Sequence, residues 1–370
     1  MDPLYIGAMS IDRAPRRVAA LPPAIRILVV LACSVIALGG MWLARDVIGP
    51  LAIGAVIVII CYPLGTAITR WGAPRWVGST AVILLGYVIL GVLAALLAFA
   101  ITEFVRLVTE LMPDLTRLTQ QVYMWLRDLG VDAEIGTQIS AMLNTSRLID
   151  VATSLSGSII GVVTALFFVL AYVIFMSVDV SRYARAEHAF GPQVRPVLER
   201  IRAYCAGVRR YFVVNAVFGL IVAVVDTVAL YILDVPAPLV WGILSFVTNF
   251  IPNVGFILGL VPPALISLVT NDWVTSLIVI AVYIVANVTL QVLVQPKFVS
   301  DAVGITLTLS FFSVVFWTVV IGPLGAILAV PLTLLVRAFI LESDPAHSWL
   351  RWLTGDDEAA AKPWRDQTAR

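Results

Sequence analysis

Amide side chains recur every four residues along one apolar stretch of the sequence, at Asn287, Gln291 and Gln295. On an α-helix this spacing places all three side chains on one face. Amides both donate and accept hydrogen bonds, so the stripe can line a cavity that binds a neutral, polyhydroxylated solute. It can equally hold neighbouring helices together, and the sequence leaves both interpretations open.

Asp226 is an acidic residue that lies deep inside another apolar stretch, eight positions before Asp234. Ionisable groups within apolar helices are costly, and they often mark the pathway of an ion. Asp226 is therefore a candidate site for a proton or a sodium ion. The alternative is a structural carboxylate whose partner is Asn215 or an amide of another helix.

A proline-containing break interrupts a third apolar stretch, with the sequence NFIPNVGFILGLVPP over residues 249–263. Proline removes a backbone donor and clashes with the preceding turn, so Pro252 is predicted to end a helix. Asn249 and Asn253 flank this break, where their side chains can bond a solute or cap the exposed helix end. Gly255 allows the backbone to approach a neighbour closely.

A second break further along the chain resembles the first. Residues 325–331 align with residues 255–262 when one gap is allowed, and each segment follows a proline-containing turn. Pro323 is predicted to end the second helix, with Gly322 and Gly325 allowing close backbone approach. A span plus a hairpin that faces one way, then a span plus a hairpin that faces the other, is typical of an inverted repeat.

Such breaks have a functional meaning only inside a membrane. Helix ends leave N–H and C=O groups unpaired, and in hydrocarbon each group costs several kcal/mol unless protein, water or a solute satisfies it. Two broken tips that approach from opposite faces are therefore predicted to form the walls of a central binding site. The alternative is that proline and glycine merely form tight turns between ordinary spans.

The composition places the chain in a membrane. Hydrophobic residues make up 61% of the 370 positions, charged residues 13%, and the mean hydropathy is +1.00, far above the balance of a soluble domain. The formal net charge is +1, so nothing in the overall balance indicates a nucleic-acid partner. Membrane lipid is the expected surrounding.

Apolar stretches of roughly 20 residues can cross the hydrocarbon as helices, and six of them are predicted to do so. These are residues 25–44, 51–69, 77–101, 156–178, 211–233 and 273–294. Two longer regions, 237–270 and 302–340, contain the breaks and are predicted to be hairpins. The expected fold class is therefore all-α: a polytopic membrane protein with about six full transmembrane helices plus two opposed broken hairpins, about eight membrane segments in all.

The arginine distribution predicts the orientation of the chain, because cytoplasmic loops are rich in Arg and Lys. It places a tail over residues 1–24, a basic segment over residues 179–210 and a second tail over residues 342–370 in the cytoplasm, flanking and connecting a transmembrane domain over residues 25–341. The segment 102–154 holds seven acids against four arginines and is predicted to lie outside. It has the spacing of an amphipathic helix, which would lie on the outer surface, pack on neighbouring subunits or act as a substrate lid.

Three segments carry a family resemblance: VPAPLVWGILSFVTNFIPNVGFILGLVPPALISLV, VQPKFVS and FWTVVIGPLGAILAVPLTLLV. They resemble the matching segments of the autoinducer-2 exporter (AI-2E) family, the PerM-like permeases. The resemblance implies a polytopic inner-membrane transporter that forms homo-oligomers, reported as pentamers. It also implies export of autoinducer-2 or related small solutes in some members and sodium/proton antiport in others. The chain departs from the family where members often carry a proline, here at residues 305–308, and at Asp226.

The function expected from these features is secondary transport of a small polar solute across the inner membrane by alternating access, with Asp226 as the candidate coupling site. Alternatives are a sodium/proton antiporter of the same family, a passive oligomeric channel and a non-transporting scaffold. His188 and His347 have no ligand partners at metal spacing, so neither a metal nor a cofactor is expected. The absence of Walker, Rossmann and metalloprotease motifs argues against an enzyme and against direct use of ATP.

Overall fold

The computed structural model describes residues 22–128, 159–183, 189–252, 254–295, 304–340 and 354–355. This part of the chain is almost entirely helical and contains no strand, which confirms the prediction of an all-α polytopic membrane protein. The helices are α1 (Pro23–Leu43), α2 (Arg45–Arg70), α3 (Arg75–Asp128), α4 (Ile159–Tyr183), α5 (Arg195–Ile232), α6 (Pro238–Thr248), α7 (Gly255–Thr270), α8 (Trp273–Asn287), α9 (Leu307–Ile321) and α10 (Pro323–Ile340).

Four described helices are long and apolar enough to cross a membrane, over Arg45–Arg70, Arg75–Leu111, Pro192–Ile232 and Trp273–Gln291. The apolar parts of α1 and α4, Ile27–Leu43 and Thr164–Asp179, are shorter. Each of the six predicted spans therefore coincides with a helix, in the order α1, α2, α3, α4, α5 and α8.

Helix α3 is longer than the third predicted span. It runs unbroken for 54 residues and passes through Pro113, so the first part of the amphipathic segment continues the span and does not start a separate helix. Its length of about 80 Å exceeds the hydrocarbon thickness of about 30 Å, so one end must project from the membrane. An exposed ion pair between Arg106 and Glu110, 2.9 Å apart, supports this part of the helix. The remainder of the segment, residues 129–154, lies outside the described residues.

The first interrupted region forms a helical hairpin whose arms are α6 and α7. Helix α6 has 11 residues, which corresponds to about 16 Å, so it is too short to cross the hydrocarbon alone. Residues 249–254 connect the two arms and contain Pro252. The predicted break is therefore present, whereas Pro262 and Pro263 lie within the continuous helix α7.

The second interrupted region is also a hairpin, with arms α9 and α10, but its break differs from the prediction in one detail. Pro323 does not end α9; it is the first residue of α10, where its missing N–H costs nothing. The chain reverses at Gly322, whose φ of 84° and ψ of −161° are accessible essentially to glycine alone.

The two breaks share a close backbone contact that explains their glycines. A Cβ atom at Gly255 would collide with the carbonyl oxygen of Thr248, and one at Gly325 would collide with the carbonyl oxygen of Trp317. In each hairpin the returning helix therefore begins against the end of the preceding helix. The glycines that align in sequence also occupy similar positions in the fold.

Helix α5 contacts both hairpins, and one hydrophobic cluster joins them. Residues of the first break, Phe250 and Val254, pack against a cluster that includes Trp317 and Ile321 of α9. The Phe250 ring also stacks on Phe212 of α5, with 5.9 Å between the ring centroids. The first break is thus held against the second hairpin by apolar contacts.

Candidate functional site

The predicted amide stripe of α8 faces the first break. Gln291 donates hydrogen bonds through Nε2 to Asn249 Oδ1, at 2.7 Å, and to Asn287 Oδ1, at 2.5 Å. Gln291 lies in a π-helical segment, Val288–Val294, that continues α8. Segments of this type are rare and occur frequently at functional sites. The structure therefore brings an amide of the span onto an amide of the break.

Asn215 of α5 completes this group. Its backbone carbonyl accepts a hydrogen bond from Asn249 Nδ2 at 2.9 Å, and its Oδ1 accepts one from Gln295 Nε2 at 2.7 Å. We refer to Asn215, Asn249, Asn287, Gln291 and Gln295 as the amide cluster. Asn215 is 4% exposed, and its Nδ2 finds no hydrogen-bond partner within the described part of the chain. The cluster therefore retains one buried donor that a solute or water could satisfy.

Gly219 makes the approach of Asn249 to α5 possible. A Cβ atom at Gly219 would lie 2.6 Å from Asn249 Nδ2. Gly242 of α6 has a similar role at a second contact with α5. A Cβ at this position would collide with the Thr227 hydroxyl and lie 3.1 Å from the Ala223 carbonyl oxygen. Helices α5 and α6 are therefore packed as closely as their backbones allow.

Asp226 lies further along the same face of α5 and is completely buried. Its Oδ2 accepts a hydrogen bond from the Ser245 hydroxyl of α6 at 2.8 Å, and its Oδ1 has no partner among the residues that the structure describes. Asn215, the partner considered from sequence, is eleven positions away and therefore about 16 Å distant along the helix. A buried carboxylate with one free oxygen is suited to hold a proton or a small cation.

Tyr283 of α8 is a further polar residue beside Asp226, and sequence reasoning missed it. The side chain is 1% exposed, and its hydroxyl has no hydrogen-bond partner in the described ranges. It interacts electrostatically with Asp226 and lies near the Ser245 hydroxyl. The available signal was its position, four residues before Asn287, which extends the amide stripe by one turn.

These groups form a continuous polar seam at the junction of three helices. Ser245 of α6 and Asn249, the C-cap residue that follows this helix, are four residues apart and share one face. The Ser245 end of the seam contains the carboxylate and the phenol, and the Asn249 end contains the amides. We define the polar seam as Asn215, Asp226, Ser245, Asn249, Tyr283, Asn287, Gln291 and Gln295.

The remaining predicted site residues belong to the two breaks. Pro252 lies in the link beside Asn249, and Gly255 begins α7, whereas Asn253 lies outside the described residues. Gly322, Pro323 and Gly325 form the second break, and none of the hydrogen bonds described for them reaches the polar seam. The structure therefore brings together the amides and the first break, and among the described residues it joins the second break to them through apolar packing.

Other chemistry finds no cluster of suitable residues in the described part of the chain. No group of three or more His, Cys, Asp and Glu side chains there could hold a metal ion. Cys61 is buried, Cys33 is exposed, and Cys205 is intermediate between the two. All three thiols are free.

An all-helical, multi-pass membrane protein with a polar seam that ends at a broken helix has the architecture of a membrane transporter. Residues 31–343 match the model of the AI-2E family transporters, and the chain belongs to this family. This confirms the resemblance noted from the segments around the two breaks.

Relatives with curated names are similar over nearly their whole length. The chain is 27% identical to the AI-2 transport protein TqsA of Escherichia coli strain K12 over 315 residues. This alignment covers 85% of this chain and 91% of TqsA. It is 26% identical over 332 residues to YhhT of the same strain, whose name gives transport as its role but names no substrate. That alignment covers 89% of this chain and 94% of YhhT. The family and these names support a role in membrane transport. They indicate a transporter and not an enzyme.

Proposed function

We propose that this protein is a secondary transporter that moves a small polar solute across the bacterial inner membrane by alternating access. The observation that carries the proposal is the contact of the first break with two other helices: Asn249 bonds both Gln291 of α8 and Asn215 of α5. A movement of the break must therefore exchange these hydrogen bonds for others.

The amide cluster is the proposed solute site. In the arrangement described, Gln291 and Gln295 donate to side chains of the cluster, whereas Asn249 and Asn287 donate to backbone carbonyls. Asn215 Nδ2 is the donor of the cluster that lacks a partner among the described residues. When the first hairpin moves, the freed donors and acceptors bind the hydroxyl groups of the solute, which also offer an acceptor to Asn215 Nδ2. This argument favours neutral, hydroxyl-rich solutes, because the amides carry no charge.

Autoinducer-2 is the first solute to test, because the relative TqsA is named as an AI-2 transport protein. The direction proposed is export, as the family resemblance implies. Both termini lie in the cytoplasm in this proposal, and the protein assembles as a homo-oligomer, a pentamer by family resemblance. The long helix α3, which must project from the membrane, is suited to form part of that assembly.

Ion coupling is assigned to Asp226. The carboxylate is buried, holds Ser245 through one oxygen and leaves the other unpartnered within the described structure, which suits reversible binding of a proton or sodium ion. The same observation supports the second candidate function, a sodium/proton antiporter of this family. A passive oligomeric channel requires the same seam but needs no such carboxylate.

The test is autoinducer-2 accumulation in inside-out membrane vesicles. Asn249→Leu should reduce the rate at least about tenfold, because it removes two hydrogen bonds of the site. Asn271→Leu is the matched control, since Asn271 is exposed and its amide bonds the Thr270 hydroxyl and the backbone carbonyls of Leu233 and Asp234, away from the amide cluster. Equal rates in these two variants would contradict the assignment of the site.

The same vesicles distinguish the alternatives. Saturable flux with counterflow supports a transporter, whereas single-channel currents and unsaturable flux would support a channel. If the vesicles exchange sodium for protons in the absence of any solute, and Asp226→Asn abolishes this exchange, the result would support the antiporter. A panel of small hydroxylated solutes identifies the substrate class if autoinducer-2 is not carried.

A further inference from the structure

A small cavity lies between α2, α3 and α4, separate from the polar seam. Its volume is about 150 Å³, enough for a phosphate group and its first substituent. The polar part of its wall consists of Thr66, Thr69, Arg75, Ser79 and Ser177. None of these residues takes part in the proposed transport site.

Ser177 indicates that the cavity is built to hold a polar ligand. Ser177 lines the cavity, its side chain is 6% exposed, and its buried hydroxyl has no hydrogen-bond partner among the residues described. Buried hydroxyls are normally paired, so an unpaired one that lines a cavity points to a missing ligand or water. The neighbouring Ser79 hydroxyl is 3.5 Å from the Ser177 carbonyl oxygen, so it too is only weakly bonded.

The charge of the cavity favours an anion. Arg75 lines it and is the first residue of α3, so a cationic residue and the N-terminal end of a long helix both border the cavity. The free N–H groups of a helix start and the helix dipole both attract negative charge. Thr66 and Thr69 donate their hydroxyl protons to carbonyls of their own helix, which leaves Tyr62, Arg75, Ser79 and Ser177 as the side-chain donors for a ligand.

The surroundings favour a lipid over a free ion. Beyond the polar groups the cavity wall is formed by Val58, Val82, the two glycines Gly65 and Gly78, and Tyr62, whose ring is apolar. The turn that joins α2 to α3 exposes two tryptophans, Trp71 at 87% and Trp76 at 69%. Exposed tryptophans beside arginine are typical of the headgroup level of a membrane protein. A ligand at this level meets donors at one end and apolar side chains at the other.

The cavity has firm walls, because α2 and α3 are in backbone contact beside it. A Cβ atom at Gly78 would lie 2.8 Å from the Gly65 carbonyl oxygen, and one at Gly65 would lie 2.8 Å from the Val82 side chain. The two helices therefore cannot close further to fill the space. A ligand that fits between them would be held in one position.

We propose that this cavity binds the phosphate group of an anionic phospholipid, with Arg75 as its ion-pair partner and Ser177 as a buried hydrogen-bond donor. The glycerol and the first methylene groups of the lipid lie along Val58 and Val82. Phosphatidylglycerol fits better than phosphatidylcholine, because it has no cationic group that would oppose Arg75.

The test is a titration of the purified full-length protein in detergent with dihexanoylphosphatidylglycerol, followed by the midpoint of thermal unfolding. The wild-type protein should show a saturable increase. Arg75→Gln and Ser177→Ala should each weaken the apparent affinity about tenfold or more, because each removes a hydrogen bond to a charged group. Ser177→Ala should leave the unfolding midpoint without lipid unchanged, since it removes an unpaired hydroxyl.

Arg70→Gln is the matched control: it removes the same charge from the same turn, but Arg70 does not line the cavity. It should titrate like the wild-type protein, and equal weakening in Arg70→Gln and Arg75→Gln would overturn the proposal. Dihexanoylphosphatidylcholine should bind more weakly than the glycerol lipid, and equal binding would contradict the charge argument. An equal increase with inorganic phosphate would assign the cavity to a free phosphate and overturn the lipid as its occupant.

Discussion

Gln291 donates its side-chain amide to the side-chain oxygen of Asn249 at 2.7 Å, across 42 positions of sequence. The first residue lies in a π-helical segment and the second in the link between two short helices. Both are irregular parts of an otherwise regular helical fold. A hydrogen bond between side chains on two irregular backbone segments can shift with little cost to the surrounding helices. A site that moves during transport requires this property.

A double substitution separates a binding role of this pair from a purely structural one. Asn249→Leu or Gln291→Met alone should destabilise the protein by about 1–3 kcal/mol, because each leaves a half-buried partner unpaired. The double variant should lose less than the sum of the two, since their mutual bond is lost only once, although the Asn215 carbonyl and Asn287 Oδ1 stay unpaired. Solute flux should stay low in all three variants. Recovery of flux together with stability in the double variant would mean that the amides only hold the helices together.

Gly219→Ala tests whether the position of Asn249 matters. The new methyl carbon would lie 2.6 Å from Asn249 Nδ2, so the amide must move away from Asn215. Flux should fall several-fold although no hydrogen-bonding group has been removed. Gly91→Ala is the control, because a Cβ at Gly91 meets nothing within 4 Å. If the two variants transport at the same rate, the contact between Asn249 and α5 has no part in transport.

Asp226→Asn tests ion coupling. The amide cannot give up a proton or neutralise a cation, so flux in the variant should no longer respond to an imposed proton or sodium gradient. Ser245→Ala should retain a response, because the carboxylate remains, although the loss of its hydrogen bond changes the ion affinity. The measurement is solute flux in vesicles with each gradient applied separately. A full gradient response in Asp226→Asn would remove this residue from the mechanism.

Gly255→Ala and Gly325→Ala test the similarity of the two breaks. In each variant the Cβ would collide with a carbonyl oxygen of the preceding helix, at Thr248 or at Trp317. Overpacking of this kind costs about 1–3 kcal/mol or more, so both unfolding midpoints should fall by similar amounts. Gly39→Ala, with nothing within 4 Å of the new atom, should change the midpoint little. A large fall in only one of the two variants would show that the breaks are built differently.

The sequence predicted those features that depend on local patterns. The six spans coincide with helices, because apolar runs of that length form helices in any membrane protein. The stripe of Asn287, Gln291 and Gln295 followed from helical spacing, and the breaks followed from proline and glycine. Pro323 was predicted to end a helix but begins the next one, because proline is compatible with both positions.

The partners of these residues could not be predicted. Asn215 and Gln295 are 80 positions apart, and Ser245 and Asp226 are 19 apart, so their pairing depends on how three helices pack. Ser245 is an ordinary residue type for a helix, and nothing in its local sequence distinguishes it. The length of α3 was also missed, because an amphipathic pattern that follows an apolar one gives no signal of whether the helix continues.

The central claim is that the amide cluster borders a cavity that water and solute enter from each side of the membrane in turn. The most direct measurement is modification of Asn249→Cys, in a protein whose three native cysteines are replaced, by a membrane-impermeant thiol reagent applied to vesicles of each orientation. Ser267→Cys is the control, because Ser267 is completely buried in α7. We predict that Cys at position 249 reacts from both sides and that a transported solute slows the reaction, whereas the control does not react. Failure of position 249 to react from either side would contradict the claim, because it would mean that the cluster is a dry contact between helices.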